Sequence, residues 1–139
     1  MSAEVYFVDT SFLIAHRNNH DENHLAAVAC YDALKHNLPH LKLIVTDYIF
    51  DEFATLLISR LNKQQSVDIC NELLNDPLIR LLAINPEYFH AAWKIFEKML
   101  DKNWSFTDCT SYVIMQALGI DHGLAFDHHF KQFGFAILP

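Results

Sequence analysis

Apolar residues along the chain fall in short compact blocks separated by longer stretches of helical periodicity. Val5 to Val8 is a run suited to a buried strand. Asp9-Thr10-Ser11 follows, and its two hydroxyls can cap a helix running through Ala15. From Asp21 to Asn37 the spacing is helical, with Leu25, Val28, Ala29 and Leu34 on one side. Leu41 to Val45 reads as the next strand. Thr46 can cap a helix that turns Ile49, Phe53, Leu56 and Leu57 inward. Lys63 to Asn75 is helical and ends before Pro77, and Leu78 to Ile84 is strand-like. Pro86 suits the first turn of a helix reaching about Lys102. Ser105 opens another helix, which Gly119 stops. Gly123 to Phe126 and Phe135 to Leu138 complete the set as strands.

Strands separated by helical crossovers predict a mainly parallel sheet with helices on both faces, an α/β/α sandwich. With no repeat, linker or low-complexity tract, residues 1–139 read as one domain. Ligands in such sheets collect at the carboxyl ends of the strands, near the point where strand order reverses. Asp9 and Asp127 each follow an apolar strand, so both are expected at that edge.

Four acids therefore draw the chemistry. Asp9 can be a turn or cap residue, yet Thr10 and Ser11 are also able to cap the helix. Glu52 lies three residues after Ile49 and four before Leu56, on the same helical face as those apolar positions. It either reaches past the rim or joins a paired site; its neighbour Asp51 is turned away. Asp108 stands three residues after Ser105, as in a capping box, and a helix N-terminus favours any acid. Asp127 has the reading of a cap after a strand. Brought together, the four would need a cation. Two carboxylates ~4 Å apart repel by about 4 kcal/mol at an effective dielectric near 20. Oxygen-only ligands select Mg²⁺ or Mn²⁺ over zinc.

Composition changes this picture in two ways. Hydrophobic residues make up 52%, which excludes a disordered chain. The formal charge is −7, against the expectation for a general nucleic-acid binder. If four acids serve a metal, 13 acids remain against 10 bases, and the rest of the surface is only mildly acidic. Three scattered cysteines make neither a disulfide framework nor a zinc motif. No segment reads as an export signal or as the ~20 apolar residues that span a bilayer. The expectation is a cytoplasmic protein without a membrane partner.

Val8-Asp9-Thr10-Ser11, Thr46 through Glu52, Ser105 through Ser111 and Phe126-Asp127-His128-His129-Phe130 resemble, in order, the successive motifs of PIN-domain proteins. The resemblance covers nearly the whole chain. A short chain of this kind is similar to the VapC-type toxins of prokaryotic toxin–antitoxin pairs. What the resemblance implies is a PIN-like three-layer fold and a Mg²⁺- or Mn²⁺-dependent endoribonuclease. Its acidic site falls on Asp9, Glu52, Asp108 and Asp127, with Thr10, Ser11 and Thr107 as hydroxyls beside it. It also implies RNA as substrate, a homodimer, and a small antitoxin docked across the acidic groove. The other readings are a stand-alone RNA-processing nuclease and a PIN-like binding module without catalysis. A receiver-like phospho-acceptor fits less well, because Asp9 lacks an adjacent acid and the middle strand ends in Val45-Thr46.

The histidines suggest a further possibility. His16, His20 and His24 are spaced by four and would form a metal-binding stripe on one continuous helix. Asn18, Asn19 and Asp21 predict a break that separates them. His128 and His129 flank Asp127, where they either touch phosphate or cover the end of the sheet. Phe50, Phe53, Trp93, Phe96 and Trp104 are expected in core or dimer packing rather than base stacking.

Overall fold

The computed structural model describes residues 4–139. Among them five strands form one parallel sheet: β1 (Val5–Val8), β2 (Lys42–Thr46), β3 (Ile79–Leu82), β4 (His122–Leu124) and β5 (Ala136–Leu138). Their order across the sheet is β3-β2-β1-β4-β5. The crossovers carry α1 (Thr10–Arg17), α2 (His24–Asn37), α3 (Asp47–Arg60), α4 (Lys63–Leu74), α5 (Pro86–Lys98), α6 (Phe106–Leu118) and the short α7 (His129–Gln132). In β1, Tyr6, Phe7 and Val8 are all buried although successive side chains point to opposite faces. Both faces of the sheet are thus covered, as an all-parallel sheet requires. The α/β/α class expected from the sequence is the class observed.

The order places the reversal at β1: the chain runs outward through β2 and β3, then returns to the other side of β1 as β4. Crevices open at such reversals, beyond the carboxyl ends of the strands. The Asp9 N–H continues the β1–β4 pairing past the last strand residue by donating to the Leu124 carbonyl at 3.0 Å. Asp9 therefore leaves the sheet at that crevice.

Several boundaries differ from those read in the sequence. The helix expected from Asp21 begins at His24, because residues 18–23 form a turn in which Asn18 and Asp21 side chains accept backbone N–H groups. Its inward face is set by Ala27 and Tyr31, and Leu25 is turned to solvent at 82% exposure. Ala29 is exposed as well. The turn separates the histidines, so no stripe forms: the His16 ring lies against Phe12 and Tyr31, while His24 Nδ1 contacts the Ala15 carbonyl. α5 ends at Lys98 rather than Lys102, and β3 is shorter than Leu78 to Ile84. β4 spans His122–Leu124 instead of Gly123 to Phe126, which leaves Ala125 and Phe126 between strand and Asp127. Gly119 does stop α6, in the left-handed conformation at φ 67° that favours glycine.

One polar tie links α1, α2 and the turn before β3. Asp76 Oδ2 accepts from Arg17 Nη2 at 2.8 Å and from the Tyr31 hydroxyl at 2.6 Å, and Asp76 Oδ1 accepts the Leu78 N–H. Burial alone would raise the Asp76 pKa, but hydrogen bonds from Tyr31, Leu78 and Arg17 outweigh it and hold the pKa below its ordinary value. Asp76→Ala should destabilise the fold by about 3–5 kcal/mol, because it leaves the buried Arg17 guanidinium uncompensated. A depressed carboxylate pKa stabilises the fold at pH above the unfolded value of about 3.9, and that contribution is lost as pH falls through the folded value. The gap between wild type and Asp76→Ala in urea denaturation should accordingly shrink from pH 7 to pH 3.

Candidate active site

A cleft of about 370 Å³ opens at the carboxyl edge of the sheet, and Asp9, Glu52, Asp108 and Asp127 all line it. Each arrives from a different element. Asp9 is the last residue before α1 and buried to 4% exposure. Glu52 sits in the second turn of α3, half-buried, and makes no hydrogen bond among the described residues. Asp108 is the third residue of α6, and Asp127 lies in the turn between β4 and α7.

Asp9 is the N-cap of α1, so capping and site roles fall on one side chain. Its Oδ2 accepts both the N–H and the hydroxyl of Ser11. The same Ser11 hydroxyl accepts the Phe126 N–H at 3.0 Å, pinning the chain as it leaves β4 against the start of α1. Asp108 closes the capping box expected from the sequence: Ser105 Oγ accepts the Asp108 N–H, and Asp108 Oδ2 accepts the Ser105 N–H, each at 3.0 Å. The His129 ring nitrogen Nδ1 also lies 2.9 Å from Asp108 Oδ2 and 3.3 Å from Asp127 Oδ1. Asp127 Oδ1 accepts the His129 N–H.

A pattern follows from these bonds. In each of the three aspartates the protein engages one carboxylate oxygen and leaves the other without a hydrogen bond among the described residues. The engaged oxygens fix the side-chain orientations, and Asp9 Oδ1, Asp108 Oδ1 and Asp127 Oδ2 stay available to something in the cleft. Among the described residues, no three His, Cys, Asp or Glu side chains converge into a finished metal-ligand cluster. The acids instead surround an open volume. That suits a small hard cation that keeps several waters and binds through one or two carboxylates and substrate phosphate, as Mg²⁺ does. The free ligands are all oxygens, which fits Mg²⁺ or Mn²⁺.

The other residues expected here divide. Thr10 and Ser11 line the cleft, and the Thr10 hydroxyl is buried without a hydrogen-bond partner among the described residues. Thr107 is half-buried and does not line the cleft; its carbonyl accepts the hydroxyls of Thr110 and Ser111. Ser105 lines it instead, as do Asp21, Asn23, Arg60, Asn103 and His129. Of these, Arg60 was legible: Glu52, Leu56 and Arg60 repeat every four residues along α3 and share one face. Asn103 lies in a loop and carried no sequence signal.

Burial pushes the Asp9 pKa up to about 7, and the charges of Asp108 and Glu52 add to the rise while the two Ser11 hydrogen bonds oppose it. An acid whose folded pKa is raised costs stability once it ionises. The penalty is absent below the unfolded value of about 3.9, grows as pH rises and is complete above about 7. Metal-free Asp9→Asn should therefore match wild type in stability near pH 4 and exceed it by about 2–4 kcal/mol at pH 8. Chemical denaturation in chelator across that range checks the sign, and a pH-independent difference would refute the assignment.

The same fold occurs in known proteins. The chain is 29% identical over 129 residues to the 23S rRNA-specific endonuclease VapC20 of Mycobacterium tuberculosis, covering 93% of this chain and 94% of that protein. The solved structure of M. tuberculosis VapC20, a sarcin–ricin loop cleaving toxin, superposes with a TM-score of 0.85 at 26% identity, covering 97% of this chain and 99% of that one. The fold is shared with VapBC2 of Rickettsia felis, at a TM-score of 0.69, 12% identity and 96% coverage of each chain. The model of the PIN domain matches residues 6–136, nearly the whole chain, and the protein belongs to the PIN-domain family.

Proposed function

We propose that this chain, as a single PIN-like nuclease domain over residues 1–139, is a Mg²⁺- or Mn²⁺-dependent endoribonuclease and the toxin of a toxin–antitoxin pair. The observation that carries the reading is the convergence of Asp9, Glu52, Asp108 and Asp127 on one cleft in a chain whose full length is similar to VapC20. VapC20 acts on 23S rRNA, so a hairpin with its sarcin–ricin loop sequence is the first substrate to test. Cytoplasmic action fits an RNA substrate and the three free cysteines, and no helix among the described residues is long and apolar enough to cross a membrane.

The residues divide the work by which of their oxygens the protein leaves free. Asp9 and Asp108, oriented by Ser11, Ser105 and His129, would hold the ion. When bound, a divalent ion supplies Lewis-acid chemistry, acidifying water and offsetting phosphate charge. Glu52, free of protein hydrogen bonds, orients the attacking water and takes its proton. The water oxygen bonds to phosphorus in line as the bond from phosphorus to the 3′ oxygen breaks, and the leaving 3′ oxygen takes up a proton from solvent water. The products are a 5′-phosphate and a 3′-hydroxyl. Thr10 and Ser11 contribute hydroxyls at the wall.

Asp9→Asn and Asp108→Asn each keep the capping geometry, because an amide oxygen still accepts the N–H bonds. Both should lower cleavage by roughly a hundredfold or more. Asp51→Asn, an exposed neighbour of Glu52 outside the cleft, should cut like wild type. Chelator should stop the reaction and added Mn²⁺ restore it. Cleavage that survives chelator, or the Asp9 substitution, refutes the mechanism.

The dimer has its own support. Phe89, Trp93 and Phe96 on α5 are each 40–45% exposed and group with Phe106 at the start of α6 and Tyr48 on α3. A contiguous apolar face of this kind marks an interface, and a second copy is the occupant. Sedimentation at micromolar concentration should show a dimer, and Trp93→Glu should shift it to monomer. A monomeric wild type ends that reading. The acidic cleft suits a basic antitoxin segment. Co-expression with the neighbouring small gene should give a complex without nuclease activity.

A further inference from the structure

Arg60 is the one Lys or Arg among the described residues that lines the acidic cleft. It ends α3, eight residues and about 12 Å of helix beyond Glu52 on the same face. Among the described residues its only side-chain hydrogen bond or ion pair is a long one, Nη1 to Asp21 Oδ2 at 3.5 Å, and its side chain is 48% exposed. Arg17 is the contrast, buried and held to Asp76 at 2.8 Å. A guanidinium presents five donors in a fork that matches two phosphate oxygens, and here most of that fork is unused.

Asp21 is fixed in place, since its Oδ1 accepts the Asn23 N–H at 2.9 Å and its side chain is only 15% exposed. Its Oδ2 holds the guanidinium over the cleft without saturating it. A phosphate makes shorter, paired bonds to the same fork. An RNA strand passing the four acids meets repulsion everywhere except at the cation and at Arg60.

Resting on the nuclease reading above, we propose that Arg60 binds a non-scissile phosphate of the RNA strand, exchanging Asp21 for it as the strand enters. Arg60 is a binding residue that sets the register of the strand relative to the acids, and Asp21 is the internal anion that it leaves.

The test uses a labelled hairpin of the 23S rRNA sarcin–ricin loop. Affinity is measured in the Asp9→Asn background with Mg²⁺ across a salt series, and KM and kcat are measured with Asp9 intact. Arg60→Gln should weaken binding about tenfold. It should also flatten the logarithmic salt slope by ~0.7, the value for one phosphate contact on a single strand. KM should rise by a similar factor, with kcat falling much less. Arg60→Lys, which keeps the charge and loses the fork, should fall between. Asp21→Asn keeps the turn and should tighten binding severalfold, and that gain should vanish in the Arg60→Gln background. Lys42→Gln, the same charge change at the opposite end of β2, should alter neither slope nor KM. If Arg60→Gln and Asp21→Asn leave affinity, slope and KM at wild-type values while wild type still cuts, the inference is wrong and the nuclease reading stands. A gain from Asp21→Asn that persists without Arg60 also overturns it, as a general field effect. If wild type cuts no RNA and the Asp9→Asn protein binds none, the nuclease reading falls and takes the inference with it. Should Arg60→Gln fail to fold by circular dichroism, Arg60→Lys takes its place in the double-mutant comparison: a gain from Asp21→Asn that shrinks in that background supports the inference, and one that is unchanged overturns it.

Discussion

A carboxylate sealed at the end of the central strand is the constraint on which the rest of this structure turns. Burying a charge is costly unless partners or ions replace the lost water. Asp9 meets that demand on one side only, where the Ser11 N–H and hydroxyl bind Oδ2. To supply those donors, α1 must begin immediately after β1. To hold Ser11 in place, its hydroxyl takes the Phe126 N–H, so β4 must lie beside β1 and turn away at that height. The start of α1, the β1–β4 pairing and the path toward Asp127 are thus tied together at one oxygen of one side chain. The other oxygen has no hydrogen bond among the described residues, and the charges of Asp108 and Glu52 add to the cost of ionising the group.

This division explains why the bland and functional readings of the aspartates are hard to separate in sequence: the capping reading is the one observed, and it leaves room for the other. Ser105-x-x-Asp108 is a capping box, and the structure forms it. Asp9 caps α1, a role for which Thr10 and Ser11 had also seemed available. A carboxylate has two oxygens, and a cap consumes one. Capping therefore fixes the acid where the helix N-terminus meets the cleft and leaves the second oxygen over. The strand–helix alternation was equally legible, because buried parallel strands are short apolar runs that hydroxyl and acidic caps terminate. Thr46, Pro86 and Gly119 fall where propensity puts them.

What sequence reading lost were features decided by tertiary contacts. Leu25 looks inward by periodicity, but α2 turns Ala27 and Tyr31 to the core, with the Tyr31 ring against His16. Asp127 was expected directly after a strand. The Asp9 and Ala125 amides carry the pairing one step past Leu124, and the chain then leaves the sheet because the Phe126 N–H turns to the Ser11 hydroxyl. His129 could be placed near Asp127 from sequence, yet its reach to Asp108, 21 residues earlier, depends on how α7 folds back. Arg60 was readable as the continuation of the Glu52–Leu56 face. It went unread because a basic residue at the last turn of a helix already has a sufficient local reason to be there.

The net charge, which seemed to argue against an RNA partner, has a local origin. Five of the 17 acids line the cleft, against one basic side chain. The repulsion is concentrated where the substrate must enter, and falls off within about 8 Å at physiological salt. Under the proposed nuclease reading, a cation in that cleft would change more than the reacting bond. It would offset the field that opposes the phosphate, and each ligand would raise the affinity of the other by the same factor, as linkage requires. A site built this way needs no strongly basic surface. It needs carboxylates held apart around an open volume, each with one oxygen tied and one free.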